Sequence, residues 1–157
     1  MIEVRNSYPP PVGINLFGAR RATNDDLKLV QQFRNDEISL KMLSLGKPPF
    51  SDVQTLEFIE KNFLYLCFLD KCLINWCENA ESVEIPIYVL KQHRGKGIAT
   101  MVLRDLTLFY GEKNFRARIL PENIASIKLH EKVGFVRKKE VVFKSKTLLL
   151  YELGRES

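Results

Sequence analysis

Gln92-His93-Arg94-Gly95-Lys96-Gly97-Ile98-Ala99 is the stretch that decides how this chain is read. It lies between a strand-like segment, Val83 to Val89, and an amphipathic helical one, Ile98 to Tyr110. A strand that ends in a glycine-bearing turn and runs into a helix start makes a phosphate cradle. The first N–H groups of a helix have no acceptor inside it and carry partial positive charge. An anionic diphosphate satisfies them. Gly95 and Gly97 let the backbone approach such a ligand with no side chain in the way. Lys91, Arg94 and Lys96 add charge of the right sign. The generic phosphate loops do not fit. No G-K-[S/T] closes the run, and it lacks the third glycine and the acidic residue of a dinucleotide fingerprint.

The run does fit Q-x-x-G-x-G. Further along comes Asn123-Ile124-Ala125-Ser126-Ile127-Lys128-Leu129-His130-Glu131-Lys132-Val133-Gly134-Phe135. This is similar to an N-x-x-S…(Y/H)-E-K-x-G-F segment. Two motifs in this order and at this separation resemble the GCN5-related N-acetyltransferase (GNAT) family, whose loop holds the pyrophosphate of acetyl-CoA. The resemblance covers most of the chain, from Ile14 to Leu153.

Composition agrees with one soluble domain. The chain has 157 residues, 45% hydrophobic and 27% charged, which is ordinary for a globular protein with a single core. No apolar run is long enough to span a membrane. The start lacks a basic segment followed by an apolar stretch, so no signal peptide is expected, and the expected location is the cytoplasm. Cys67, Cys72 and Cys77 form no C-x-x-C pair and are expected to be buried thiols in a reducing compartment. With only His93 and His130 as histidines, no metal site is expected. The net charge of +5 permits nucleic acid as a partner. However, the basic residues are interrupted by acids, and their densest late cluster, Lys138 to Lys146, reads as a solvated strand end. Neither nucleic acid nor membrane is expected to bind.

Residues 1–13, with prolines at 9 to 11, read as an extended lead-in, and residues 14–157 as one acetyltransferase domain. Ile14 to Arg21 reads as a first strand. Thr23 with Asp26 and Ser51 with Gln54 mark helix starts, the second as a capping box. These predict helices over 24–34 and 52–61, with another helical piece over 37–45 that Gly46 and Pro48 end. Phe63 to Leu69 and Cys72 to Glu78 read as a hairpin turned at Asp70-Lys71. In Val83 to Val89 the residues Val83, Ile85, Ile87 and Val89 face one way and Glu84, Pro86 and Tyr88 the other. Pro86 removes a ladder donor and predicts a bulge, an edge or a strand leaving its neighbour. In the next helix Ile98, Val102, Leu106 and Phe109 share a face. Arg116 to Leu120 is a strand and 124–132 a helix that Gly134 ends. Val136 to Val142 and Thr147 to Leu153 pair antiparallel.

The resemblance implies an α/β (α+β) fold. It has a mixed, mostly antiparallel sheet of about seven strands and about four helices on its faces, with the family's fourth and fifth strands splayed. Acetyl-CoA is the implied co-substrate. Its pyrophosphate would meet Gln92, Arg94, Gly95, Lys96, Gly97, Ile98, Ala99 and Thr100. Its pantetheine arm would bond free backbone groups of Tyr88, Val89 and Leu90, with the Val89 N–H on the thioester oxyanion. Asn123 and Ser126 would also contact it. One departure from the family pattern is Ile74-Asn75 where a small residue is common in the third strand, which bears on how open the acceptor side is.

Two residues are candidates for catalysis. An amine acceptor is mostly protonated at neutral pH, and Glu84, on the strand before the loop, can take that proton directly or through water. Its alternative is an ordinary polar residue on a half-exposed strand. Asn123, Ser126 and His130 share one helix face. His130 stands where many relatives have the tyrosine proposed to protonate the departing thiolate, and relatives of the phosphinothricin acetyltransferase type carry a similar L-H-E-K-x-G-F run. Its alternative is a solvated helix residue. His93 reads as exposed rather than catalytic. The leading function is N-acetyl transfer from acetyl-CoA to a primary amine by direct attack in a ternary complex. A small amine or nucleotide-linked amino sugar is the favoured acceptor. Phe33-Arg34-Asn35-Asp36 resembles the N-terminal halves of sugar-acting relatives, and equally of those acting on protein N-termini. A protein N-terminal or lysine acetyltransferase and a non-catalytic acetyl-CoA-binding module are the alternatives. A homodimer is compatible with each.

Overall fold

The helices begin where their caps predict. In the computed structural model, which describes residues 8–11 and 13–154, the Thr23 N–H donates to the Asp26 carboxylate at 2.8 Å. A turn of 3-10 helix there leads into α1 (Leu27–Arg34). Asp36 caps α2 (Glu37–Met42), accepting from the Ser39 N–H at 3.2 Å. Ser51 and Gln54 form the reciprocal capping box at the start of α3 (Asp52–Lys61), with bonds of 2.8 and 3.2 Å. The hairpin follows as β2 (Phe63–Cys67) and β3 (Cys72–Glu78).

Three sequence expectations are corrected. The first strand is only β1 (Arg20–Arg21). Phe17 and Gly18 adopt positive φ, 62° and 63°, so residues 16–18 turn instead of extending. The strand 83–89 is divided into β4 (Val83–Glu84) and β5 (Ile87–Val89). No bulge causes the break. Glu84 faces Cys77 and Ile87 faces Ile74, so the register stays in step. Pro86 simply lacks an N–H, while its carbonyl still accepts from the Asn75 N–H at 3.0 Å. The helix after the loop, α4 (Ile98–Phe109), is the third correction. Phe109 is 53% exposed, and the buried stripe of Val102, Leu103 and Leu106 continues instead to Tyr110. Four residues on from Leu106, Tyr110 reaches the sheet and packs on Trp76 at 4.9 Å.

The chain then runs through β6 (Arg116–Ile119), α5 (Ile124–Val133), β7 (Phe135–Phe143) and β8 (Lys146–Leu153). Gly134 ends α5 at φ 111°. The strands form a five-stranded group, β1-β2-β3 with both β4 and β5 on β3, and a three-stranded group β6-β8-β7. Every ladder is antiparallel. The two groups touch through one parallel bridge, Val83 to Phe115. Beyond it β5 stays on β3 and β6 stays on β8, so the sheet opens into a V between β5 and β6.

Strand alternation builds two cores, one on each face. Leu64, Leu66, Leu73 and Tyr88 pack with Val30, Phe33, Phe58 and Ile59 of α1 and α3. Cys72, Ile74, Trp76 and Val83 pack with Val102, Leu103, Leu106 and Tyr110 on the α4 side. Cys67, Cys72 and Cys77 are buried free thiols. Residues 1–7 and 12 of the expected lead-in lie outside the described residues. Of the rest, the Tyr8 N–H donates to the Glu78 carbonyl, and Tyr110 donates to the Gly13 carbonyl. No helix among the described residues is long and apolar enough to cross a membrane.

Candidate active site

The loop 91–97 links β5 to α4 at the mouth of the V. Gly95 and Gly97 both adopt left-handed φ, 76° and 80°, and a Cβ at either position would meet only open space. The positive φ therefore calls for glycine, and the cleared volume belongs to whatever sits over the loop. Gly97 is the N-cap of α4, and its carbonyl takes the Met101 N–H at 3.0 Å. The N–H groups of Ile98, Ala99 and Thr100 come before the first helical bond and remain for a ligand.

The ladder also decides which β5 groups are free. Pro86 opposite Asn75 and Leu90 opposite Lys71 are hydrogen-bonded positions. By antiparallel alternation Tyr88, paired with Leu73, is one too. The N–H and C=O groups of Ile87 and Val89 therefore point away from β3, into the V. This corrects part of the sequence reading: the backbone groups of Tyr88 and the N–H of Leu90 are spent on β3, the latter at 3.3 Å from the Lys71 carbonyl, whereas Val89 keeps its N–H for the gap. The Val89 carbonyl accepts from Arg94 Nε at 3.1 Å.

A cavity of about 380 Å3 runs along this opening. Its walls include the sequence-predicted residues Tyr88, Val89, Arg94, Gly95, Gly97, Ile98, Ala99, Thr100, Asn123 and Ser126. Leu90, Gln92 and Lys96 lie off its lining. Leu90 and Gln92 border a separate depression with Gln32 and Asp36. His93 borders the main cavity. Asn123 caps α5, its side chain accepting from the Ser126 N–H at 3.3 Å. The far wall is α2, through Ile38, Ser39, Met42 and Leu43. Sequence reasoning missed Asp36, which joins α2 to the loop by a 2.5 Å ion pair with Arg94. That pair holds Asp36 below the usual carboxylate range, against the burial that opposes it.

A second, smaller cavity of about 90 Å3 continues from the first, sharing Met42, Leu43, Ile87, Tyr88, Ser126 and Leu129 with it. Glu84 and His130 both line it. Neither is the exposed residue that its alternative reading required: Glu84 is 7% and His130 8% exposed. Glu84 and Tyr88 share a sheet face, and helices cover that face rather than solvent. Burial raises the Glu84 pKa against the pull of Arg118 and Arg116, whose Nε atoms lie 3.1 and 2.8 Å from its Oε1. These two arginines alternate along β6, and sequence reasoning missed them as well. His130 Nδ1 lies 2.7 Å from the Ser126 carbonyl, so it carries the proton and Nε2 keeps the lone pair. Burial lowers the His130 pKa.

A family model described as acetyltransferase (GNAT) domain matches residues 18–136. The chain belongs to the GNAT family. As such it is an acyl-CoA-dependent N-acetyltransferase with acetyl-CoA as co-substrate. Solved structures share the GNAT fold. The acetyltransferase (GNAT family) from Bacillus anthracis is 19% identical, with 85% of this chain and 90% of that one covered and a TM-score of 0.68. An N-acetyltransferase from Staphylococcus aureus Mu50 is 24% identical, with coverages of 86% and 96% and a TM-score of 0.68. AAC(6')-Ib in complex with ribostamycin and coenzyme A is 17% identical, with coverages of 87% and 92% and a TM-score of 0.73. No curated protein matches the chain. The GNAT co-substrate suits the groups present: an anionic diphosphate for the free N–H groups of α4, and a linear arm for the Val89 edge.

Proposed function

We propose that this GNAT protein transfers an acetyl group from acetyl-CoA to a small primary amine by direct attack in a ternary complex. The observation that carries this reading is the joining of the two cavities in the V. One end offers backbone donors and cleared glycines, and the other offers two titratable side chains over the α2 side. An extended thioester in the larger cavity would bring its acyl group to the neck between Ile87 and Ser126. An amine entering past α2 would reach the same point. The second cavity is small, about 90 Å3, which favours a compact acceptor over a folded protein surface.

Two protons must leave the ammonium nitrogen in the reaction. Glu84 takes the first, directly or through water, and the free amine attacks the thioester carbonyl. Burial suits it to this, because a carboxylate of raised pKa is the stronger base. The Val89 N–H donates to the oxyanion. His130 starts neutral. Its Nε2 lone pair takes the second proton as the tetrahedral adduct collapses, and the imidazolium then returns it to the departing thiolate. Asn123 and Ser126 set this geometry by capping α5 and holding Nδ1. The test is release of free thiol from acetyl-CoA, screened over amines, amino sugars and peptides with the purified chain. Turnover with a small amine and none with peptides is the expected result. Preferential turnover of peptides would replace this reading by the protein-acetylating one, and acetyl-CoA binding without turnover of any amine by the non-catalytic one.

A further inference from the structure

We infer that Arg118, with Arg116 beside it, selects acceptors that carry an anionic group close to the reacting amine. This rests on the N-acetyltransferase reading and on the smaller cavity being the acceptor's. Among the described residues lining that cavity, the charged side chains are Glu84, Arg116 and Arg118. One carboxylate faces two guanidinium groups. All three are largely buried, with side chains 9%, 29% and 15% exposed. A charge withdrawn from water needs a partner, and Glu84 can neutralise only one of the two cations. A guanidinium offers five N–H donors and a carboxylate about four acceptor sites. Glu84 Oε1 lies close to the Nε atoms of both, and neither Nε is aligned with it as a hydrogen bond.

The surplus charge falls on Arg118. Arg116 also borders a second cleft that holds Glu81 and Glu152, whereas Arg118 lies on the acceptor cavity. Its guanidinium lies over the Phe143 ring at 4.7 Å. Stacking holds the plane of the group while leaving its edge donors for a carboxylate or phosphate fork. A ligand with both an ammonium and an anion gives Glu84 and Arg118 a partner each, the ammonium beside Glu84 and the anion on Arg118, while Arg116 also borders the cleft that holds Glu81 and Glu152. Arg118 Nε is only 3.1 Å from Glu84 Oε1, so the ligand's two charges must lie a few bonds apart. A small α-amino acid or an aminoalkyl phosphate has that shape. The cavity of about 90 Å3 is smaller than the roughly 150 Å3 that accepts a benzene ring, so a compact molecule is required. A polycationic amine would meet charge of its own sign.

The experiment compares matched amines that differ only in the anion. Thiol release is measured for glycine, alanine and serine against their carboxamides, for 2-aminoethyl phosphate against ethanolamine, and for kanamycin as a polycation. Acetyl-CoA affinity is measured in parallel by calorimetry. At least one anionic member is expected to exceed its neutral partner by about 10-fold or more in kcat/KM, the scale of a hydrogen bond to a charged group. The two kinds of pair tell a carboxylate from a phosphate. Arg118→Gln should remove the preference through KM and leave acetyl-CoA affinity unchanged, and Arg118→Lys should restore part of it. Equal or better turnover of the neutral partners or kanamycin overturns the inference. So does an Arg118→Gln enzyme that keeps the preference. The wild-type comparison stands even if that variant does not fold. Acetyl-CoA binding with no turnover of any anionic amine also overturns the inference, whereas failure to bind acetyl-CoA overturns the function on which it rests.

Discussion

The two ends of the V are built from different materials. The cofactor end is backbone: the start of α4, two glycines in left-handed conformation, and the outward edge of β5. The smaller cavity, the proposed acceptor end, is side chain: Glu84 from β4, Arg116 and Arg118 from β6, His130 from α5. Backbone sites need a particular φ and a bare Cα, so they leave glycines at fixed spacing. Side-chain sites draw single residues from strands distant in sequence and leave no local pattern.

The largest effect should come from the backbone end. Gly97→Glu puts a bulky anion into the cleared space and forces φ near 80° on a residue with a Cβ. Acetyl-CoA binding should be lost, by 100-fold or more on the scale of about 1–2 kcal/mol for backbone strain with charge repulsion added. Unchanged affinity in calorimetry would break the comparison at its root.

Glu84→Gln tests the other end. It should lower kcat by about 10²–10⁴-fold, the range for a general base, with acetyl-CoA affinity intact. Near wild-type turnover across the pH range would move the base to water or another group. His130→Phe should slow the chemical step by roughly 10²-fold, again without loss of acetyl-CoA affinity. His130→Tyr should recover part of the rate. Variants indistinguishable from wild type in single-turnover kinetics would leave His130 a packing residue against Phe135, whose ring is 4.9 Å away.

Asp36→Asn sharpens the comparison, because Asp36 ties the loop to α2, which lines both cavities through Met42 and Leu43. Asparagine keeps the α2 cap and breaks the ion pair to Arg94. The loop loses its tether, and KM for acetyl-CoA should rise about 10-fold, as expected for a charged hydrogen bond. An unchanged KM would show that the loop holds its shape alone.

The smallest effect concerns stability. Burial favours neutral His130 and lowers its pKa below 6.5. Between pH 6.5 and the lower folded value, the unfolded chain binds the proton first. This contribution to stability is therefore complete above pH 6.5 and is lost as pH falls below it. Urea unfolding between pH 7 and 5 should show a shallower acid-side loss in His130→Phe. Equal slopes would mean that His130 titrates alike in both states.

Much of the molecule was legible from local sequence, wherever one residue decides one conformation. Thr23, Asp26, Ser51 and Gln54 placed helix starts through bonds three residues long. Gly134 ended α5, and Gly95 and Gly97 placed the turn that leads into α4. The alternation of Val83 to Val89 put Glu84 and Tyr88 on one face. What that face meets was decided only by tertiary structure. Period-two patterning sorts side chains between faces, but only packing assigns solvent or helix to each, so Glu84 became buried instead of half-exposed. The break at Pro86 was visible, but the intact register across it depends on the partner strand β3. The same ladder spent the N–H of Leu90 and left that of Val89 free. The helical stripe was read as ending at Phe109, and only the position of Trp76 shows that Tyr110 is the residue buried there. The Asp36–Arg94 tie and the Arg116–Glu84–Arg118 cluster join residues far apart in sequence. Charge on a side chain carries no local mark of its partner, and only the folding of β4 beside β6 brought these together.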